Sequence, residues 1–262
     1  MILDCSLTLV TGATGGGVGS EIVKMILDRD GSVCLHGRTE QSTMEYLRKL
    51  AHDGYDLDSV VPVWADLGCP IEVEALAFKL SSLPIDSFVH NASEGGIAKS
   101  LHELEWAHWQ RELQINLTSA FVICKNILPF MVEKSFGRIV FLSSSAAKRG
   151  ARGRNAAYSA SKAALIGLTK QLALEYGRNG ILVNCVAPSQ IDTLRARENN
   201  RRTDQDFILR GKEIPLGRVA KPSDIAPFCI WLASNQNTYL TGQSIDLDGG
   251  SSLSPSSSTL TK

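Results

Sequence analysis

Val10-Thr11-Gly12-Ala13-Thr14-Gly15-Gly16-Gly17-Val18-Gly19 is a glycine-rich turn in a telling position. Before it stands Ser6-Leu7-Thr8-Leu9-Val10, an apolar run of strand length. After it, Val18, Ile22, Val23, Ile26 and Leu27 recur with helical period, which predicts a helix over 18–27. A turn of this kind between strand and helix brings backbone close to a pyrophosphate and sets that charge at the helix N-terminus. Gly12, Thr14, Gly17, Val18 and Gly19 are the candidate contacts. No Gly-Lys-Ser/Thr follows, so the turn is not a Walker A loop. The plainer alternative is a structural loop.

The same alternation continues outward. Strands are expected at 32–36, 60–64, 85–90, 139–142, 181–187 and 244–247, and helices at 44–50, 71–80, 109–132, 156–176 and 222–232. The strands are apolar on both faces, which suits a parallel sheet covered by helices on each side. No linker or repeat interrupts the pattern. The expectation is an α/β fold, a single Rossmann-like, doubly wound domain over 1–250 with about seven strands, and a polar tail over 251–262. Ligands of such sheets bind beyond the carboxyl ends of the strands.

The second strand bears on the cofactor. NAD sites usually place an acid at its end for the ribose 2'-hydroxyl. Here the sequence is Leu35-His36-Gly37-Arg38-Thr39, with no carboxylate. Arg38 could pair with a 2'-phosphate, which favours NADP(H) over NAD(H); the alternative is a solvated arginine. Asp66, with Leu67 beside it, follows the third strand and is placed to accept from the adenine amine.

Tyr158-Ser159-Ala160-Ser161-Lys162 puts a phenol and an ammonium one helical turn apart, on one face. The ammonium is expected to lower the phenol's pKa, so that Tyr158 can exchange a proton with an alcohol or ketone oxygen. Ser143, Ser144 and Ser145 offer a hydroxyl for the same oxygen. Asn116, awkward inside a helix, offers an amide for a water that relays protons to Lys162.

Composition bounds the remaining options. Lys plus Arg and Asp plus Glu both number 27, so zero net charge offers no global attraction to nucleic acid or an anionic membrane. The N-terminus has no basic region and Asp4 interrupts its apolar stretch, so a signal peptide and a membrane helix are not expected, and a cytoplasmic location follows. Cys5, Cys34, Cys69, Cys124, Cys185 and Cys229 form no CxxC pair and read as reduced thiols. The histidines share no metal-ligand spacing, and no metal site is expected.

With these motifs in place, residues 6–250 resemble the short-chain dehydrogenase/reductase family. The matching landmarks are the Thr11-Gly12…Gly17-Val18-Gly19 turn, Asn91-Ala92, Asn116, the serine loop, Tyr158-x-x-x-Lys162 and Pro188…Thr193. The closing stretch, Ile214-Pro215-Leu216-Gly217-Arg218…Asp248-Gly249-Gly250, is most similar in pattern to β-ketoacyl carrier-protein reductases. The resemblance implies an Asn116–Ser144–Tyr158–Lys162 tetrad and hydride transfer at nicotinamide C4. It implies that Lys162 also holds the nicotinamide ribose, and that Asn91, Ala92, Pro188, Ile191 and Thr193 contact the cofactor. It implies a substrate lid at about 190–215 and a homotetramer or homodimer packed through the helices at 109–132 and 156–176.

The chain departs from the family pattern in four places. The turn has one extra residue, expected to bulge at Thr14 to Gly16. Ser93 replaces a glycine, which narrows the floor of the cofactor cleft. Ser189 replaces another. The serine loop is one residue long, so counting from the strand gives Ser144 while counting back from Tyr158 gives Ser145; the strand count is preferred.

Two basic groups bear on substrate: Lys148, Arg149, Arg152 and Arg154, and then Arg195, Arg197, Arg201, Arg202 and Arg210. They are either solvated surface or recognition of an anionic small-molecule substrate, such as a 3-oxoacyl thioester or a carboxylate. Oxidation of a sugar, polyol or secondary alcohol is the enzymatic alternative, and a dinucleotide-sensing or scaffold protein the non-catalytic one.

Overall fold

The structure is a computed structural model and describes residues 7–95, 98–150, 156–199 and 202–253. Its strands are β1 (Thr8–Val10), β2 (Val33–Gly37), β3 (Val60–Trp64), β4 (Ser87–His90), β5 (Gly137–Leu142), β6 (Ile181–Pro188) and β7 (Ser244–Leu247). They form one sheet in the order β3-β2-β1-β4-β5-β6-β7, with every pair parallel. The helices are α1 (Val18–Leu27), α2 (Glu40–His52), α3 (Pro70–Leu80), α4 (Trp106–Leu113), α5 (Ser119–Lys134), α6 (Ala146–Arg149), α7 (Ala156–Tyr176), α8 (Leu194–Asn199), α9 (Asp204–Gly211) and α10 (Pro222–Leu232).

Alternation along the strands supplies two cores. Phe88, Ile139 and Phe141 pack on one face with Ile123 and Ile127 of α5 and Leu165 of α7. Val89, Val140 and Leu142 face the other way, against Ile22 and Ile26 of α1 and Ile225 of α10. Each such fully buried side chain contributes about 1.5–3 kcal/mol. This two-faced burial is what makes the strands apolar throughout, and the fold is the expected Rossmann-like, doubly wound sheet. The chain reverses its winding at β1, between β2 and β4, and opens a crevice at that switch point.

One expected element is corrected. The helix read as continuous over 109–132 is α4, a π-helical turn at Gln114–Thr118, and then α5. The wider turn re-phases the helix at Asn116 while Ile115 and Ile123 stay in the core. The run 106–134 is long and apolar enough to cross a bilayer, but half of its most apolar window is buried inside the fold. The expected lid contains α8 and α9, two short helices that the sequence pattern does not announce. Cys34, Cys124, Cys185 and Cys229 are buried free thiols and Cys69 is half-buried. Cys5, Arg152, Arg154, Arg201 and the tail beyond 253 lie outside the described residues.

Candidate active site

The glycine turn leaves β1 at the switch point and is held tightly there. Gly12 has φ +64°, and a Cβ on it would lie 2.8 Å from the Ala92 Cα. A Cβ on Gly19 would lie 2.5 Å from the Asn91 amide nitrogen. That amide donates to the Thr11 and Gly12 carbonyls, both at 3.0 Å. The Ser20 hydroxyl accepts from the Gly16 amide at 2.9 Å and donates to the Ala13 carbonyl at 2.6 Å. The extra residue is taken up at Gly15 and Gly16, which are exposed, with Gly16 at φ +63°. Gly17 is the N-cap of α1 and brings no side chain to cap it, so the first turn of Val18 and Gly19 faces an open cradle. This backbone, bare of side chains at a helix start, fits a pyrophosphate.

Two buried histidines flank the turn: His90, whose place at a strand end just before Asn91 already reads as structural or cofactor-adjacent, and His36, whose role the motif reasoning missed. His36 at the end of β2 accepts from the Gly12 amide on Nδ1 (3.2 Å) and meets the Ala65 carbonyl through Nε2 (3.1 Å). His90 at the end of β4 lies 3.2 Å from the Thr11 hydroxyl through Nδ1 and 3.3 Å from the Asn116 carbonyl through Nε2. A carbonyl only accepts, so each Nε2 carries the proton and each Nδ1 accepts. Burial pushes His36 down to about 4, partly offset by its backbone bonds. Burial and the Lys162 charge push His90 down to about 3. The signal available in the sequence was a histidine at the carboxyl end of both strands that border β1.

At the expected adenosine end, Arg38 and Asp66 are bonded to each other at 3.1 Å. Arg111 of α4 joins them, 3.3 Å from Asp66 and 2.9 Å from Glu94. Burial alone would raise the Asp66 carboxyl. The Gly68 amide and the Arg111 and Arg38 guanidiniums outweigh it and hold the group below the usual carboxylate range. Leu67 is buried, and its carbonyl accepts from Gln114 at 3.4 Å.

Tyr158 and Lys162 emerge near the start of α7, beside the end of β5. The Ser144 hydroxyl is the one hydrogen-bonded to Tyr158, while Ser145 starts α6 and donates its amide to the Pro188 carbonyl at 2.8 Å. Lys162 is fully buried; its Nζ donates to the Leu142 carbonyl at 2.7 Å and lies 5.7 Å from the centroid of the Tyr158 ring. Burial brings this ammonium down to about 8. Burial raises Tyr158 above its ordinary value, Ser144 and Arg195 pull it down, and Glu112 pushes it up. Glu112 is a buried carboxylate on α4, four residues before Asn116, which the sequence reasoning missed.

Asn116 is fully buried in the π-helical turn. Its side-chain oxygen accepts from the Glu94 amide at 2.9 Å. Its nitrogen donates to the Glu94 carbonyl (3.2 Å) and the Ser161 hydroxyl (3.0 Å). Both amide hydrogens are used within the protein, and through them Asn116 holds the strand-end loop against α7.

At the opposite end, Pro188 closes β6 and Ile191 pairs with Ala220 in an isolated bridge. Thr193 accepts from the Ala196 amide and sits over Gly17, 3.7 Å from where its Cβ would be. The two basic groups divide. Lys148 pairs with Asp246 (2.8 Å), Arg149 with Asp248 (3.8 Å), and Arg197 with Asp192 and Asp204 (both 2.7 Å). No cluster suited to a metal occurs among the described residues.

A strand-turn-helix cradle leads toward half-buried Ser144 and Tyr158 beside the buried Lys162, on a Rossmann-like sheet. Residues 12–252 match a short-chain dehydrogenase/reductase family model described as enoyl-(acyl carrier protein) reductase. The chain belongs to the short-chain dehydrogenase/reductase family and is an oxidoreductase of that type. It is 31% identical to the 3-oxoacyl-[acyl-carrier-protein] reductase of Chlamydia muridarum over 244 residues, covering 92% of this chain and 95% of that one. It is likewise 31% identical to the acetoacetyl-CoA reductase of Allochromatium vinosum, covering 93% and 97%. Among solved structures, a candidate NAD(P) dependent gluconate 5-dehydrogenase from Beutenbergia cavernae with bound NADP superposes with a TM-score of 0.86 at 31% identity, covering 95% and 97%. A 3-oxoacyl-[acyl-carrier protein] reductase from Brucella melitensis with bound NAD gives 0.80 at 30% identity, covering 93% and 90%.

Proposed function

We propose that the protein is an NADP(H)-dependent oxidoreductase that interconverts a ketone and a secondary alcohol, with Tyr158 as the acid/base. The observation that carries this reading is the Ser144 hydroxyl on the Tyr158 phenol, with the buried Lys162 ammonium beside the ring. When bound, the reduced nicotinamide supplies the hydride. The balanced reaction is NADPH plus H⁺ plus ketone giving NADP⁺ plus alcohol. The turn residues Gly12, Thr14, Gly17, Val18 and Gly19 would hold the pyrophosphate, Arg38 the 2'-phosphate, and Asp66 and Leu67 the adenine. Asn91, Ala92, Pro188, Ile191 and Thr193 would frame the nicotinamide and its ribose, together with Lys162.

Tyr158 keeps its proton because burial raises its pKa, which suits donation of that proton to the ketone oxygen during reduction. Ser144 orients that oxygen, Lys162 places a positive charge next to the phenolate that forms, and Asn116 fixes the loop and helix on which these groups stand. The relatives with reductase names support a 3-oxoacyl thioester or other anionic ketone as substrate. The gluconate 5-dehydrogenase neighbour supports the second reading, oxidation of a sugar acid by the same residues in reverse.

The test is single-turnover reduction of a ketone panel with NADPH and NADH. Tyr158→Phe is expected to lose at least about 10³-fold in kcat with cofactor affinity kept, and Ser144→Ala about 10²-fold. Turnover that survives Tyr158→Phe, or a larger loss in Ser145→Ala than in Ser144→Ala, overturns these assignments.

A further inference from the structure

Among the described basic side chains of the two groups, Arg195, Arg202 and Arg210 meet no carboxylate within ion-pair distance, and of these Arg195 is the one whose charge acts on Tyr158 and Lys162. Lys148, Arg149 and Arg197 are each matched by a carboxylate. Arg195, on α8, has no carboxylate partner among the described residues. Its guanidinium instead reaches the Ser93 carbonyl at 2.5 Å. That carbonyl belongs to the loop after β4, which is tied to the start of α7. Glu94, the next residue, is held by Asn116 through both its amide and its carbonyl. Asn116 in turn bonds Ser161, whose hydroxyl donates to the Tyr158 carbonyl at 2.8 Å. The positive charge of Arg195 is felt at both ends of the Tyr158–Lys162 pair, lowering each group's pKa.

The neighbours of Arg195 divide the labour along α8. Thr193 and Leu194 face the glycine turn, at 3.7 and 3.4 Å from the Cβ positions of Gly17 and Gly16. Arg195 turns away from that turn toward Ser93. The Ser93 hydroxyl oxygen is shielded from solvent and meets no partner among the described residues. The Arg195 guanidinium therefore bonds the backbone of a residue whose own hydroxyl is unused, on the loop that Asn116 holds against α7. A carbonyl oxygen satisfies a guanidinium poorly compared with a carboxylate, which takes two parallel hydrogen bonds.

We propose that Arg195 is a specificity-determining residue whose guanidinium, with the Ser93 hydroxyl, receives a carboxylate carried by the substrate within a few bonds of the reacting carbonyl. The proposal rests on the ketone–alcohol reading above and narrows its substrate class. It favours a small oxo acid or hydroxy acid over an acyl thioester, whose charges sit far from the ketone.

The experiment compares acetoacetate with methyl acetoacetate, a pair that differs by one negative charge next to the ketone. In the wild type the acid is the better substrate. Arg195→Ala is expected to lower kcat/KM for acetoacetate by about 100-fold and to affect the ester far less. Arg195→Lys recovers part of the acid's turnover, and the NADPH dissociation constant stays within about twofold in both variants. Equal losses on acid and ester, a weakened NADPH complex that accounts for the loss, or no preference of the wild type for the acid each overturns it. If the wild type reduces neither compound, the ketone–alcohol reading fails for this pair. Calorimetric binding of acetoacetate to the NADP⁺ complex then decides: loss in Arg195→Ala supports the carboxylate site, and no binding to the wild type overturns it.

Discussion

Arg38 spends its charge on Asp66, yet its side chain is 66% exposed. An exposed ion pair of this kind is worth little, about 0–1 kcal/mol. A ribose 2'-phosphate offers more charge and a bidentate geometry, so Arg38 can leave Asp66 for it. Asp66 is not then left alone, because Arg111 stays 3.3 Å away. On the proposed reading, Asp66 would serve the adenine end while the exposed arginine is exchanged. Arg38→Ala is therefore expected to raise the NADPH dissociation constant by about tenfold or more while NADH changes less than twofold. Titration by nucleotide fluorescence measures both, and parallel changes for the two cofactors would sink the assignment.

At the scale of elements, the turn between β1 and α1 works only because two neighbours press against it. Asn91 fills the space beside Gly19, and Ala92 fills the space beside Gly12. Gly19→Ala forces the Asn91 amide away from the carbonyls it bonds. Overpacking of this kind costs about 1–3 kcal/mol. The expected result is a lower denaturation midpoint together with weakened cofactor binding; a normal midpoint and normal binding would show that the turn relaxes freely. Glycine and proline punctuation also explains which elements were legible beforehand. Gly17 and Pro222 mark the starts of α1 and α10, and the observed bounds follow them. The break between α4 and α5 was hidden, because the π-helical turn keeps the apolar spacing and carries neither residue. The same divide holds at the site. Tyr158 and Lys162 are visible at helical spacing, and the glycines by their run. Glu112, Arg111 and Glu94 owe their places to packing between distant segments, which no local spacing reveals. The serine ambiguity was likewise a matter of geometry: a one-residue insertion shifts the count, but only the strand end fixes which hydroxyl meets Tyr158.

Over the whole molecule, the two buried histidines tie three strands and the π-helical turn into one unit around the cradle. His36 links β2, the β1 turn and the segment after β3, and His90 links β4, the same turn and Asn116. Both Nδ1 atoms must accept, so a proton on either places N–H against the Gly12 amide or displaces the Thr11 hydroxyl bond. The native state therefore keeps both neutral, at about 4 and about 3, against an ordinary value of 6.5. Between those native values and 6.5, the unfolded chain holds more protons than the folded one, so stability rises with pH across that window. It is lost as pH falls below 6.5, by up to about 1.4 kcal/mol per pH unit for each histidine. Urea unfolding midpoints measured from pH 7.5 to pH 5 should fall steadily in the wild type, on the order of what two protons require. His36→Asn and His90→Asn should each remove about half of that slope while lowering the midpoint at pH 7.5, since each also loses a buried hydrogen bond. A wild-type midpoint that does not change with pH would show that the imidazoles are not held neutral by the fold.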